Sequence, residues 1–245
     1  MYSDADAAAL YDLLNPWGPC DDFYLSFVMD SPSVLDVGCG TGMLLHRARA
    51  AGHRGRLCGL DPDAAALGRA ARRPDVEWVH GRAQDLRRER EFELAVVAGN
   101  AFQVFVADDE LRAALAAVRA ALRDGGRLVF GTRNPAARAW EGWRPERAAE
   151  VVDAAGRALR VVHRVESVAD GVVTFTETVQ TRGGEPLRID RASLRFLDAD
   201  GLRGFLRQAG FTVEACWGDW ARGPLTDASE NIVVLARAAA AGESL

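Results

Sequence analysis

Short apolar runs alternate along the chain with longer segments in which Ala, Leu and Arg recur at helical spacing, the signature of parallel strands joined by crossover helices. Ser33 to Val37 reads as a buried first strand, followed by a glycine turn and a helix from about Gly42 to Ala51 that stops at Gly52. Arg56 to Leu60 is the second strand, and Pro62 sits where a first-turn proline is tolerated before a helix over Asp63 to Arg72. Val76 to Val79, Glu93 to Ala98 and Arg127 to Thr132 follow as strands three to five, with an Ala-rich helix over Asp108 to Leu122.

The rhythm then changes. Ala158 to Val168 and Val172 to Thr181 alternate β-branched with polar residues around Ala169-Asp170-Gly171, a hairpin signal that Ser193 to Phe196 extends. The α/β pattern resumes with a helix over Ala199 to Gln208 and strands over Phe211 to Ala215 and Asn231 to Ala236. Upstream, residues 4–29 form amphipathic helices broken at Asn15-Pro16-Trp17-Gly18-Pro19. The predicted fold is α/β: a doubly wound, seven-stranded, mostly parallel sheet with helices on both faces. An N-terminal helical lid covers residues 1–30, the sheet domain 31–135 and 197–240, and an inserted antiparallel β cap 136–196.

Composition narrows the function. A chain of 245 residues that is 49% hydrophobic and 27% charged supports one packed α/β core with a modest insertion. The net charge of −5 lacks the basic stripe of a nucleic-acid binder, so no nucleic-acid partner is expected. All 30 basic residues are Arg, a bias attributed to codon usage. The four cysteines are dispersed without a C-x-x-C pair, which suggests neither a zinc site nor a disulfide framework. An acidic start without a signal-peptide pattern and the lack of a long apolar run lead to an expectation of a cytoplasmic protein with no membrane partner.

The candidate chemistry lies in Val34-Leu35-Asp36-Val37-Gly38-Cys39-Gly40-Thr41-Gly42, a strand running into a glycine turn and a helix. In an open α/β sheet that turn sits at the switch point where ligands bind. Asp61 ends the second strand with a carboxylate placed for two ribose hydroxyls, and Asp85 follows the third. A nicotinamide oxidoreductase is the alternative, but its G-x-G-x-x-G motif needs a third glycine where this chain has Met43.

V-L-D-V-G-C-G-T-G, G-L-D-P, G-R-A-Q-D-L and L-R-D-G-G-R-L-V-F together resemble the successive motifs of class I S-adenosylmethionine-dependent methyltransferases, whose fold is Rossmann-like. Asp22-Phe23-Tyr24-Leu25, Asn134-Pro135 and Leu206 to Phe211 with Trp217-Gly218-Asp219 resemble the small-molecule branch called methyltransferase domain 25. The resemblance implies that Gly38, Gly40 and Gly42 line the methionine side of S-adenosyl-L-methionine, with Asp36 in the strand before the turn and Cys39 within it also binding the cofactor. Asp61 and Pro62 would meet the ribose, and Gln84, Asp85 and Leu86 the adenine. Asn100 and Gln103 would face the methyl group. The Asn/Asp-Pro-Pro-aromatic motif of nucleic-acid and glutamine amide methyltransferases is replaced by Gly99-Asn100-Ala101-Phe102. No acidic cluster suggests a metal.

The implied reaction is transfer of a methyl group to nitrogen or oxygen of a small acceptor, a biosynthetic intermediate, with release of S-adenosyl-L-homocysteine. In-line displacement is driven mainly by proximity and desolvation, so a strong base is optional. Candidate catalytic residues are His163 in the inserted hairpin, Tyr11 in the lid and Asn100 after strand four. Tyr24 joins the cofactor-binding set, since a sulfonium favours aromatic faces. Trp140 to Pro145 is a candidate wall of the acceptor pocket, and Asp219 and Trp220 are candidates either for that pocket or for a turn. A non-catalytic S-adenosylmethionine-binding protein stays open as an alternative, and the hairpin offers an edge for a homodimer.

Overall fold

A computed structural model describes residues 2–240; Met1 of the expected lid and residues 241–245 lie outside it. Helix α1 (Asp4–Leu14) starts at a capping box in which Ser3 and Asp6 satisfy each other's backbone N–H groups, with Asp4 and Asp6 in the positive first turn. It ends at Asn15, one residue before Pro16, whose ring disfavours continued helix. Helix α2 (Pro19–Met29) opens with proline in its first turn, where no N–H is needed.

Strand β1 (Ser33–Val37) is buried along its whole length, as a central strand covered on both faces must be. It is followed by α3 (Met43–Ala50), β2 (Arg56–Asp61), α4 (Ala64–Ala70), β3 (Glu77–His80), β4 (Phe92–Val97), α5 (Asp108–Ala121) and β5 (Leu122–Arg133). Strand β5 starts earlier than its glycines suggest. The ladder with β4 already pairs Phe92 with Leu122, and an irregularity before Leu94 and Arg127 absorbs Asp124-Gly125-Gly126. After the insertion come α6 (Ala199–Gln208), β10 (Phe211–Trp217) and β11 (Asn231–Ala238). The seven strands are ordered β10-β11-β5-β4-β1-β2-β3, with β11 antiparallel to both neighbours. Chain order reverses between β1 and β4, which makes their carboxyl ends the switch point of the sheet.

The core fills both faces. One side packs α5 and α6 through Leu111, Leu115, Leu202 and Leu206 against Phe92, Leu128 and Phe130. The other packs α2 and α3 through Phe23, Tyr24, Val28 and Leu45 against Val34, Val96 and Val129.

Residues 149–195 form a second sheet, β6 (Ala149–Val152), β7 (Ala158–Ala169), β8 (Val172–Thr181) and β9 (Pro186–Arg195), antiparallel in that order. Strand β6 is too short and exposed to have shown an alternating signal, and β9 begins seven residues before the predicted extension because Arg and Asp interrupt its apolar pattern. Leu159, Val161 and Val179 of this sheet bury themselves against Tyr2 and Leu10, so α1 is the helix that fills the cap's inner face.

Candidate functional site

The glycine turn after β1 is shaped by its backbone. Gly42, the residue before α3, has φ +78°, and a Cβ there would lie 2.4 Å from the Trp78 ring. A Cβ on Gly40 would meet nothing within 4 Å, so the turn leaves open space above it. Gly38 and Cys39 donate their N–H groups to the Leu60 carbonyl at 2.8 and 3.1 Å, tying the turn to the end of β2. There Asp61 accepts from the Gly40 N–H through Oδ2 at 2.7 Å and from the Asp63 N–H through Oδ1 at 2.8 Å. Asp63 caps α4, so Asp61 is the carboxylate held against the turn. Burial raises its pKa, and the two N–H bonds oppose that rise.

Beside this turn lies a mostly apolar cavity of about 240 Å³, lined by Gly38, Pro62, Gln84, Val104, Phe105 and Glu110 among others. Leu86 is buried below the short helical turn over Ala83–Asp85, whereas Asp85 points outward and is exposed. Tyr24 does not line this cavity, and its hydroxyl is buried without a hydrogen-bond partner. It is fully buried on α2 with its ring 5.4 Å from Trp220, a core position for the residue read as part of the lid. Burial pushes the half-buried Cys39 thiol up as well.

Asp36 is buried in the middle of β1, and its Oδ1 has no hydrogen-bond partner. Burial and the neighbouring Asp61 push its pKa up to about 7. The folded protein therefore holds this proton to higher pH than the unfolded chain, whose Asp titrates near 3.8. Stability from this group declines as pH rises from about 4 to about 7 and is level above that. In thermal melts at stepped pH, Asp36→Asn should gain on the wild type by a few kcal/mol across that window. A difference that stays constant with pH would refute the assignment.

A second group of candidate residues lies where β4 and β5 end. Asn100 takes a left-handed conformation, φ +61°, before the turn Ala101–Val104, and its Oδ1 is buried without a partner. The Tyr11 ring is half exposed, but its hydroxyl comes within 3.3 Å of where a Cβ on Gly99 would stand. Burial and nearby acids, Asp21 first among them, raise its pKa. Thr41 donates to Asp12 at 2.5 Å, and Arg69 pairs with the same carboxylate at 2.8 Å. These contacts join α1 to the glycine turn and to α4.

Gln103 does not present a free amide. It is 1% exposed, donates from Nε2 to the Arg195 carbonyl at 3.0 Å and accepts from Arg133 Nη1 at 2.8 Å. Nothing in the sequence marks Arg133, because a strand-end arginine is ordinary in a chain with 30 basic residues. Trp143 lies under its guanidinium and 4.9 Å from Phe175 of the cap, while Trp140 packs on Phe196.

His163 shares the α1-facing side of β7 with Leu159 and Val161, and bonds Glu177 at 2.8 Å across to β8. His46, His53 and His80 are each occupied with a main-chain carbonyl. Asp219 accepts from the Ala221 and Gly223 N–H groups, a turn role, and Asn134 ties β5 to Thr226 and Ser229. Among the described residues no group of three or more His, Cys, Asp or Glu is disposed to hold a metal, and no helix is long and apolar enough to cross a membrane.

Residues 34–126 match the family model described as a methyltransferase domain. The chain is 27% identical over 226 residues to a cypemycin N-terminal methyltransferase of Streptomyces sp, spanning 85% of this chain and 84% of that one. Its fold is similar to a S-adenosylmethionine-dependent methyltransferase from Clostridium acetobutylicum, with TM-score 0.76, 16% identity and coverage of 96% and 98% of the two chains. It is also similar to a cofactor-bound amino pentose methyltransferase from Micromonospora echinaspora involved in calicheamicin biosynthesis, with TM-score 0.69, 23% identity and coverage of 97% and 98%.

Proposed function

We propose that this chain, a S-adenosylmethionine-dependent methyltransferase of the class I superfamily, methylates the nitrogen of a small amine. The residues present suit that cofactor: open space over Gly40, an apolar cavity beside it, and a buried, unpartnered Asp36 oxygen on the strand that leads into the turn. Asp61 would hold the ribose, Gln84 and Phe105 the adenine, and the turn from Gly38 to Gly42 the methionine end. When bound, S-adenosylmethionine supplies a methyl group whose bond to sulfur breaks as the new bond to nitrogen forms.

The observation that carries the nitrogen reading is the buried Asn100 Oδ1 without a partner. It accepts hydrogen bonds and donates none, so it suits an amine, which keeps an N–H throughout the reaction; a phenolate has no hydrogen to offer. The amine must arrive neutral or lose a proton first. Burial under α1 disfavours its charged form, and the His163–Glu177 pair on the same side of the cap is the candidate sink for that proton. The names of the Streptomyces and Micromonospora relatives, an N-terminal and an amino sugar enzyme, support the same choice.

Mass spectrometry of reactions with small amines and their matched alcohols and phenols tests the reading. Methyl groups should appear on nitrogen, and transfer only to oxygen would overturn it. Tyr11→Phe should lower kcat/KM about tenfold or more, with affinity for S-adenosylhomocysteine changed less than about threefold. Equal losses in both would move Tyr11 to the cofactor. For the cap edge we propose self-association, which sedimentation checks: a monomer at all concentrations would exclude it.

A further inference from the structure

We infer that Arg133 anchors a carboxylate carried by the acceptor, so that the substrate is an amine bearing an acid, such as a free amino acid. This rests on the nitrogen reading and names its substrate class. A partly buried guanidinium ordinarily meets a carboxylate, since an uncompensated buried charge is costly. Among the described residues no acidic side chain lies within ion-pair distance of Arg133. Its partners are the Gln103 oxygen, 2.8 Å from Nη1, and the Trp143 ring, 5.4 Å from Cζ.

Gln103 is a neutral prop. Its Nε2 is committed to the Arg195 carbonyl at the end of β9, which turns Oε1 toward Arg133 and fixes the fork without cancelling its charge. Burial lowers the Arg133 pKa, and the nearby Tyr11 hydroxyl opposes that fall.

Its place in the sheet assigns the anion to the acceptor. Phe130 pairs with Val97, the last residue of β4, so Arg133 at the end of β5 and Asn100 in the turn after β4 lie at the same end of two adjoining strands. Strand β4 separates β5 from β1, which puts Arg133 two strand spacings, about 10 Å, from the glycine turn's strand. Asn100 is then placed for the amine and Arg133 for an acid beyond it. A planar fork matches a carboxylate in two-point geometry, which a lysine does not.

The test uses the full chain loaded with S-adenosylhomocysteine. Titration with phenylacetate and with the neutral phenylacetamide is followed by tryptophan fluorescence, with Trp143→Phe identifying the reporter. Phenylacetate should bind saturably and at least about tenfold more tightly than phenylacetamide, and Arg133→Met should abolish the difference while Arg133→Lys retains part of it. Turnover of phenylalanine should likewise exceed that of phenylalanine amide by about 10- to 100-fold. S-adenosylhomocysteine affinity of Arg133→Met should stay within about threefold of wild type, which also reports an intact fold.

If the wild type binds phenylacetate no better than phenylacetamide, the inference is overturned, and that comparison needs no variant. A tenfold loss of S-adenosylhomocysteine affinity in Arg133→Met would overturn it too, because the anion would then be the cofactor's own carboxylate. Methylation of amines regardless of a carboxylate would remove the anchor and leave the nitrogen reading standing. Carboxylate binding with transfer only to oxygen would support the anchor and remove the nitrogen reading.

Discussion

Replacing Asp61 with Ala should weaken S-adenosylhomocysteine binding by at least about 100-fold, read by isothermal titration, with a far smaller effect on secondary structure. The carboxylate is fixed before any ligand arrives, because the Gly40 and Asp63 N–H groups hold one oxygen each. Each oxygen keeps further lone-pair capacity for a hydroxyl, and hydrogen bonds to a charged group contribute about 1.5–3 kcal/mol. Loss of two gives the stated factor. The variant also frees the Gly40 N–H and loosens the turn itself. Asp61→Asn keeps the shape but turns one acceptor into a donor beside those N–H groups, so it should rescue little. Wild-type affinity in Asp61→Ala would remove the carboxylate from the cofactor site.

The second large effect is on stability. Phe130→Ala should lower the unfolding free energy by about 3–5 kcal/mol in urea titrations, the range for emptying a fully buried aromatic position. Phe130 is 0% exposed on β5, and its ring stacks on Phe102 with centroids 4.1 Å apart. Phe102 precedes Gln103, so the cavity opens directly beneath the prop for Arg133, and the variant should lose turnover at temperatures where it is still folded. Phe130→Leu, which refills most of the volume, should cost less than half as much. A loss below about 1 kcal/mol for Phe130→Ala would contradict this packing.

Much of the sheet is legible in the sequence because buried parallel strands advertise themselves. Val34, Leu35 and Val37 leave no exposed face to disguise, and a glycine turn directly after them has few other meanings. The Asn15 to Pro19 break and the Ala169-Asp170-Gly171 hairpin were readable for equally local reasons, helix capping and turn chemistry. What depends on side-chain direction was not. Asp85 and Gln84 are neighbours, yet one short helical turn sends Gln84 to the cavity and Asp85 to solvent. Tyr24 and Tyr11 both sit on amphipathic helices, and only the packing of α2 against Val96 and Val129 shows that Tyr24 belongs to the core. His163 follows two valines, so alternation alone left its face ambiguous until pairing with Glu177 set the register. Arg133 and Gln103 are 30 residues apart, and their bond exists only because β4 and β5 end side by side.

The most direct test of the account is a crystal structure with S-adenosylhomocysteine bound. The ribose hydroxyls should lie within hydrogen-bond distance of Asp61, the adenine against Gln84 and Phe105, and the sulfur should point toward Asn100 and Tyr11. A ligand bound away from the turn between Gly38 and Gly42, or one whose ribose does not touch Asp61, would contradict it.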